Sequence, residues 1–262
     1  MNASSATFSD RVARDLEAAV ERGEIVAHYQ PQIDTASGRV VAVEALCRWL
    51  HPELGQIRPE VFIPIAEETG SIHEIGRYMI EDGCTLAAEW EGAGRPVEVA
   101  VNVSALQLAP DFFDHLRQSI DDRIEPAHLT VEITESRVIA DVPAVARQLS
   151  RIRDLGVGIS IDDFGTGHST VDQLIGLPAT ELKIDRSIVQ EESAMADRML
   201  EALIGLVHQR GLRVVAEGVE TARQLDRVRH FRCDRAQGYF IAQPMPREEL
   251  ARFISSRSDM GD

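Results

Sequence analysis

The segment PAVARQLSRIRDLGVGISIDD, residues 143–163, contains the repeating unit that decides the fold. An amphipathic helical pattern ends at Gly156, and an apolar strand-like run follows at once. A helix that ends in glycine and leads directly into a strand is the usual connection in α/β proteins. The same order recurs where ADRMLEALIGLVHQRG ends at Gly211, just before RVVAEGV. The chain is therefore predicted to fold as repeated helix–strand units.

Eight strand-like runs are distributed along the 262 residues of the chain. The runs begin at Ile25, Arg39, Val97, Leu129, Val157, Glu181, Arg213 and Ala236. Eight strands that alternate with helices in about 250 residues match a (β/α)8 TIM-type barrel. Only DTASG separates the first two runs, so they predict a hairpin in which one strand runs antiparallel to the rest.

An open doubly wound sheet is the alternative α/β fold. That fold carries a glycine fingerprint after an early strand, and the fragments at Gly92 and Gly165 match it only in part. No low-complexity segment or long linker interrupts the pattern, so residues 1–262 are expected to form a single barrel domain. SDRVARDLEAAVERG predicts an N-terminal helix over about residues 9–22, and the last few residues are expected to be disordered.

The charge balance and the cysteines exclude several classes of protein. The chain has 43 acidic residues against 27 lysines and arginines, a formal charge of −16, which disfavours binding to duplex DNA and to bare anionic membranes. A small phosphorylated substrate remains compatible if bound cations reverse the local charge. Cys47, Cys84 and Cys233 lie far apart, so neither a zinc site nor a disulfide framework is predicted. With no signal peptide and no run of membrane-spanning length, a cytoplasmic protein is expected.

Polar side chains gather on one face of several strands, near the carboxyl end of each. Successive side chains of a strand point to opposite faces, so Glu44 shares a face with Leu46 and Arg48 in VVAVEALCRW. The same alternation places on one face Asn102, Ser104, Glu132, Ser160, Asp162, Lys183 and Asp185. In a barrel this face points inward and meets at the carboxyl-terminal mouth, where barrel enzymes hold their chemistry.

Five carboxylates near strand ends predict a metal site. They are Glu44, Glu132, Asp162, Asp163 and Glu217. A single acidic residue in such a place is usually a helix cap or a turn former, but capping does not explain the shared inward orientation. Converging carboxylates raise one another's pKa values, and divalent cations remove that conflict. Oxygen ligands without histidine favour Mg²⁺ or Mn²⁺, sometimes Ca²⁺, over zinc, and paired metals are typical of phosphate ester hydrolysis.

Two cations accompany these carboxylates in the pattern. Lys183 is a candidate to hold or deprotonate an attacking water, and Arg48 is a candidate to grip a phosphate. Taken alone, each residue has a plainer interpretation, since a lysine is commonly a salt-bridge partner and an arginine commonly lies on the surface.

The motifs HYQP, EALCRW, VNVS, EITE, IDDFGTG, LKID, AEGVE and QGY follow one another in this order. In this set the chain resembles the EAL-domain family of cyclic di-GMP phosphodiesterases over nearly its whole length, and residues 44–46 are the name-giving triplet. The resemblance implies a (β/α)8 barrel with one reversed strand. It also implies hydrolysis of one phosphodiester bond of cyclic di-GMP to linear pGpG, by in-line attack of a metal-activated water without a covalent intermediate.

The resemblance implies a role for each matching residue. The implied metal ligands are Glu44, Asn102, Glu132, Asp162, Asp163 and Glu217, with Asp162 shared by two cations. The implied catalytic residues are Glu44, Lys183 and Glu217, with Lys183 contacting the hydrolytic water. The implied substrate contacts are Gln30, Pro31, Leu46, Arg48, Asp185 and Gln237. Glu135 and Glu220 match glutamates behind the site, the first of which anchors the DDFGTG loop.

The resemblance further implies two Mg²⁺ or Mn²⁺ ions with Ca²⁺ as an inhibitor, a homodimer, and sensor or GGDEF domains where the chain is part of a longer protein. The chain departs from the family pattern at His168, Thr170, Val171 and Gln243, none of which is a metal-ligand position. His168 is expected to be an exposed loop residue rather than a proton carrier. Two other functions remain open: a non-catalytic cyclic di-GMP receptor, and another metal-dependent barrel enzyme that forms an enolate.

Overall fold

The computed structural model describes residues 3–121, 123–134, 142–165 and 177–258. The strands of these residues are β1 (Ile25–Asp34), β2 (Val40–His51), β3 (Gly55–Ile57), β4 (Glu98–Asn102), β5 (Leu129–Thr134), β6 (Gly158–Phe164), β7 (Glu181–Ile184), β8 (Arg213–Ala216) and β9 (Arg235–Gln237). The helices are α1 (Ala3–Leu16), α2 (Pro59–Thr69), α3 (Ile72–Gly92), α4 (Pro110–Ile120), α5 (Val142–Asp154), α6 (Arg186–Gln190), α7 (Ala194–Gln209), α8 (Ala222–His230) and α9 (Arg247–Ser258). Two 3₁₀ helices cover Ala105–Gln107 and Pro126–His128.

Eight of these strands form a closed barrel in the order β1-β9-β8-β7-β6-β5-β4-β2, and the pairing of β1 with β2 closes it. β1 runs antiparallel to both of its neighbours, whereas the other barrel strands pair in parallel. The predicted TIM-type barrel with one antiparallel strand is therefore confirmed. β3 was not predicted, since it is only three residues long; it extends β2 as an antiparallel hairpin outside the barrel.

The bounds of two elements differ from the prediction. The first helix covers Ala3–Leu16 rather than about residues 9–22. It ends early because tight turns follow, in which the Ala19 amide donates to the Leu16 carbonyl at 3.1 Å. The last strand ends at Gln237, because the backbone of Gly238 turns away with φ 156°. A Cβ on Gly238 would lie 2.2 Å from the carbonyl oxygen of Val219, so only glycine fits this close approach.

The outward face of the barrel is apolar and packs on the helices. Val101, Val131 and Ile159 pair across β4, β5 and β6, and each is fully buried. Gly83 brings α3 close to this row, since a Cβ there would lie 2.9 Å from a methyl group of Val101. Burial of each such side chain stabilises the fold by about 1.5–3 kcal/mol. None of the described helices is both long and apolar enough to cross a bilayer.

The inward face is polar in two layers. At the amino-terminal end of the strands, Arg235 bonds Glu98 at 2.8 Å and Glu181 at 3.4 Å, and Arg213 bonds the same two carboxylates at 3.0 and 3.2 Å. Two cations thus balance two anions, and this ion quartet fills the bottom of the barrel. The upper layer, at the carboxyl-terminal mouth, has a different composition.

Candidate active site

The register of the barrel aligns the predicted site residues at its mouth. Gln30 of β1 lies opposite Glu44 of β2, and Asn102 of β4 lies opposite Glu132 of β5. Asp162 of β6 lies two residue pairs further along, opposite Thr134. Because side chains alternate along each strand, these polar groups all enter the barrel from its wall at nearly the same height.

Lys183 of β7 lies at the centre of four carboxylates. Its Nζ is 2.7 Å from Glu217 Oε1, 2.8 Å from Glu132 Oε2, and 3.3 Å from Glu44 Oε2 and from Asp162 Oδ1. The side chains of Lys183 and Glu132 are completely buried. Among the described residues it is the only cation within 4 Å of these four carboxylates, so the upper layer has an excess of negative charge that the bottom quartet lacks.

Amide side chains hold Glu44 in place. Asn102 Nδ2 donates to Glu44 Oε1 at 2.7 Å, and Gln237 Nε2 donates to Glu44 Oε2 at 2.7 Å and to Gln30 Oε1 at 2.9 Å. Gln32 Nε2 donates to Gln237 Oε1 at 2.9 Å and fixes its orientation. Gln32 was not predicted, although it shares a face with Gln30 two residues earlier, and strand alternation alone would have identified it.

The pKa values of the carboxyl groups at the site do not all shift in the same direction. Burial, followed by the charge of Glu44, raises the pKa of Glu132 well above its ordinary value, and burial also raises the pKa of Asp162. Burial raises the pKa of Glu217 to about 8. Burial alone would also raise the pKa of Glu44, but the charge of Lys183 and the amide hydrogen bonds hold it below its ordinary value.

Asp163 leaves the regular alternation of β6. The pairing of β6 with β7 shifts register between Ile161 and Phe164, and Asp163 adopts the left-handed conformation with φ 60°. Its amide donates to Asp162 Oδ1 at 2.8 Å, and burial together with the charge of Asp162 raises the pKa of Asp163 to about 6. Asp163 therefore turns away from the strand pattern, and both aspartates lie at one site.

The carboxylates form two groups that fit hard divalent cations. Ligand oxygens of Glu44, Glu132 and Asp162 lie within 4.8 Å of one another, and so do those of Asp162, Asp163 and Glu217. Asp162 belongs to both groups, as a bridging ligand between two metals would. Glu132 Oε1 is buried and has no hydrogen-bond partner among the described residues, and a coordinated cation would supply one. Oxygen donors without sulfur or imidazole suit Mg²⁺ or Mn²⁺.

Two cavities adjoin the carboxylates, and their linings share Glu44, Leu46, Glu60 and Asp163. The first, of about 530 Å³, also includes Arg48 and Asn102 in its wall and runs between α2 and α3 along Ile63, Ile75 and Met79. The second, of about 470 Å³, is lined in addition by Gln30, Asp185, Glu217, Glu220 and Gln237.

Two of the predicted substrate contacts, Pro31 and Asp185, do not simply line a cavity. Pro31 pairs with Val43 on the face opposite to Gln30 and lines neither cavity. Asp185 reaches the second cavity but also caps α6, where its Oδ1 accepts from the Ser187 amide at 2.9 Å. Predicted residues Glu135 and His168 lie outside the described residues.

Comparison with known proteins identifies the family that these features indicate. The model of the EAL domain matches residues 13–244. The chain belongs to the EAL domain family. A bifunctional diguanylate cyclase/cyclic di-GMP phosphodiesterase of Pseudomonas aeruginosa, MucR, is 40% identical over 250 residues, which cover 94% of this chain and 36% of MucR. The cyclic di-GMP phosphodiesterase PA2567 of the same organism is 40% identical over 230 residues, covering 86% of this chain and 39% of PA2567.

The oxygen sensor protein DosP of Escherichia coli is 39% identical over 251 residues, 92% of this chain and 31% of DosP. This EAL domain therefore spans about a third of the length of the curated relatives it matches. Among solved structures, the PaMucR phosphodiesterase in complex with c-di-GMP is 40% identical and superposes with a TM-score of 0.85, covering 92% of this chain and 99% of that chain. The EAL enzyme Bd1971, bound to cAMP and cyclic di-GMP, has a TM-score of 0.87 at 26% identity, covering 95% of this chain and 70% of that chain.

Proposed function

We propose that this EAL domain hydrolyses cyclic di-GMP to linear pGpG. The observation that carries the proposal is Lys183 surrounded by four carboxylates at 2.7–3.3 Å in the barrel mouth, with Asp162 common to two ligand groups. A relative of 40% identity is named a cyclic di-GMP phosphodiesterase, and another of equal identity has been solved with c-di-GMP. The arrangement of Lys183 and its carboxylates and the named relatives thus support the same reaction.

The residues proposed to hold two divalent cations, Mg²⁺ or Mn²⁺, are Glu44, Asn102, Glu132, Asp162, Asp163 and Glu217. When bound, such cations supply Lewis-acid activation of water and neutralise charge on a phosphate. Ca²⁺ binds similar oxygen ligands with looser geometry, so we expect it to occupy the site and inhibit. Without bound cations, a doubly anionic substrate would be repelled by these carboxylates.

The protein's own side chains position and neutralise the reacting groups. Lys183 holds a proton on Nζ, because the four carboxylates around it raise its pKa well above the ordinary value despite burial. Its ammonium group can donate a hydrogen bond to the attacking water or to a phosphate oxygen. Glu217 is the most open of the four carboxylates, with 18% of its side chain exposed, and it lines the second cavity, which suits a proton acceptor.

The two cavities adjoin the carboxylates, as a ring of two phosphodiesters with a base on each side requires. We propose that Gln30, Leu46, Arg48, Asp185 and Gln237 contact the substrate from their walls. Arg48 projects into the first cavity, where its guanidinium suits a phosphate oxygen. The whole chain is proposed to be one cytoplasmic catalytic domain that dimerises. The greater length of its relatives supports attachment to sensor or GGDEF domains in a longer protein.

The test is incubation of the purified protein with cyclic di-GMP and Mg²⁺, followed by chromatography of the nucleotides. Conversion to pGpG is expected, with loss of at least about a hundredfold in rate for Glu44→Gln, which keeps the shape of the side chain but removes a metal-binding charge. Glu248→Gln, an exposed change on α9, is the matched control and should keep full activity. Tight binding of cyclic di-GMP without turnover would instead establish the receptor function.

A further inference from the structure

Arg186 is the first residue of α6 and lines the second cavity, as Glu217 and Tyr239 do. Its side chain is exposed, and it forms no ion pair with any residue that the structure describes. Other arginines close to carboxylates are engaged: Arg227 bonds Asp197 at 2.7 Å, and Arg235 belongs to the bottom quartet. An uncommitted guanidinium next to an acidic centre is available for an anionic ligand.

Close backbone packing fixes the position of Arg186 in the wall of the second cavity. Gly218 has φ 64°, and a Cβ on it would lie 2.3 Å from the Cβ of Arg186 and 3.2 Å from its Cα. Gln190 Nε2, at the other end of α6, donates to the Gly218 carbonyl at 2.8 Å. The start of α6 therefore packs closely against the loop after β8. Arg186 lies next to Gly218, which directly follows Glu217 in the sequence.

The charge of the proposed substrate decides what Arg186 binds. Cyclic di-GMP has two phosphodiesters, and only the one that is cleaved lies at the carboxylate centre with its cations. The other carries a full negative charge into an acidic mouth, so it needs a cation of its own. In the first cavity Arg48, which is proposed above to contact a phosphate oxygen, also donates through Nη1 to the Cys47 carbonyl at 3.0 Å. Within the part of the chain that the structure describes, no hydrogen bond or ion pair engages the guanidinium of Arg186 in the second cavity.

Resting on the proposed function, we propose that Arg186 binds the phosphodiester that is not cleaved. Arg186 thereby selects substrates with two phosphates in one ring over simple phosphodiesters. A planar guanidinium recognises two phosphate oxygens at once through charge-assisted hydrogen bonds, which an ammonium group reproduces only in part. The contact is made equally in the ground state and the transition state, so it lowers KM and leaves kcat unchanged.

The test compares Arg186→Gln and Arg186→Lys with the wild type at a fixed Mg²⁺ concentration. For cyclic di-GMP, Arg186→Gln is expected to raise KM about tenfold, the equivalent of about 1.4 kcal/mol, with kcat within about twofold. Arg186→Lys is expected to recover part of the loss. For bis(p-nitrophenyl) phosphate, which has one diester, none of the variants should change kcat/KM. Arg210→Gln, an exposed change at the end of α7, is the control for a general effect of charge.

The outcomes separate this inference from the proposed function. An active wild type with an unchanged KM in Arg186→Gln overturns the role of Arg186 alone. An equal loss with bis(p-nitrophenyl) phosphate also overturns it, because Arg186 would then act on the cleaved phosphate. If the wild type binds cyclic di-GMP without cleaving it, hydrolysis is refuted, and a tenfold weaker Kd of Arg186→Gln by calorimetry still supports the phosphate contact. A wild type that neither binds nor cleaves cyclic di-GMP overturns both.

Discussion

Replacing Lys183 with methionine tests the electrostatic balance of the site most directly. Methionine is an unbranched side chain that lacks only the terminal nitrogen position of lysine, so four carboxylates lose the ammonium group that lies 2.7–3.3 Å from their oxygens. At an effective dielectric constant of about 20, each such pair attracts with about 5 kcal/mol. The cost of burying the lysine offsets much of that attraction, and removal of one partner from a buried ion cluster destabilises proteins by about 3–5 kcal/mol. We expect this loss for the metal-free protein.

Divalent cations should reverse the effect, because they supply the charge that Lys183→Met removes. The assay is urea unfolding of wild type and variant in EDTA and in Mg²⁺. We expect a larger gain in unfolding free energy with Mg²⁺ for the variant than for the wild type, since stabilisation grows with cation affinity. Hydrolysis of cyclic di-GMP should fall by about 10²–10⁴-fold even in Mg²⁺, because Lys183 is proposed to donate a hydrogen bond to the reacting groups.

Two results would refute this reasoning. If Lys183→Met is as stable as the wild type in EDTA, the lysine is not the counter-charge of the cluster. If Mg²⁺ stabilises both proteins equally, the carboxylates around Lys183 do not bind the cation. Arg210→Met, which removes an exposed charge that pairs with no carboxylate of the described residues, serves as the control for the substitution itself.

Three further predictions concern the same layer and its surroundings. Glu132→Gln should stabilise the metal-free protein and abolish most of the response to Mg²⁺ in unfolding experiments, because it removes a buried charge that lacks a full set of partners. The pKa values of Asp163 and Glu217 are raised to about 6 and about 8, so the folded protein holds these protons to higher pH than the unfolded chain. Unfolding free energy in EDTA should therefore fall as the pH rises from about 4 to about 8; Asp163→Asn should flatten the lower part of this slope, and Glu217→Gln the upper part. Gly238→Ala should lower the free energy of unfolding by more than about 2 kcal/mol, because the new Cβ would collide with the Val219 carbonyl.

The sequence alone determined the architecture and the identity of most groups at the site. Helix, glycine and strand follow one another in a period that only a parallel α/β fold accommodates, and DTASG is too short for a crossover, so β1 had to be antiparallel. Strand alternation has a period of two residues, and it placed Glu44, Asn102, Glu132 and Asp162 on the inward face without knowledge of the structure.

Other features were decided only by closure of the barrel. Lys183 contacts Glu44 across 139 residues of chain and Glu132 across 51, and the height at which they meet depends on the stagger of the strands. The bottom quartet, with Arg235 bonded to Glu98 across 137 residues, and the position of Arg186 beside Glu217 have the same origin. Local propensity and alternation act over a few residues and state only which face a side chain occupies, whereas the distances that fix charge, pKa and ligand geometry arise from the tertiary fold.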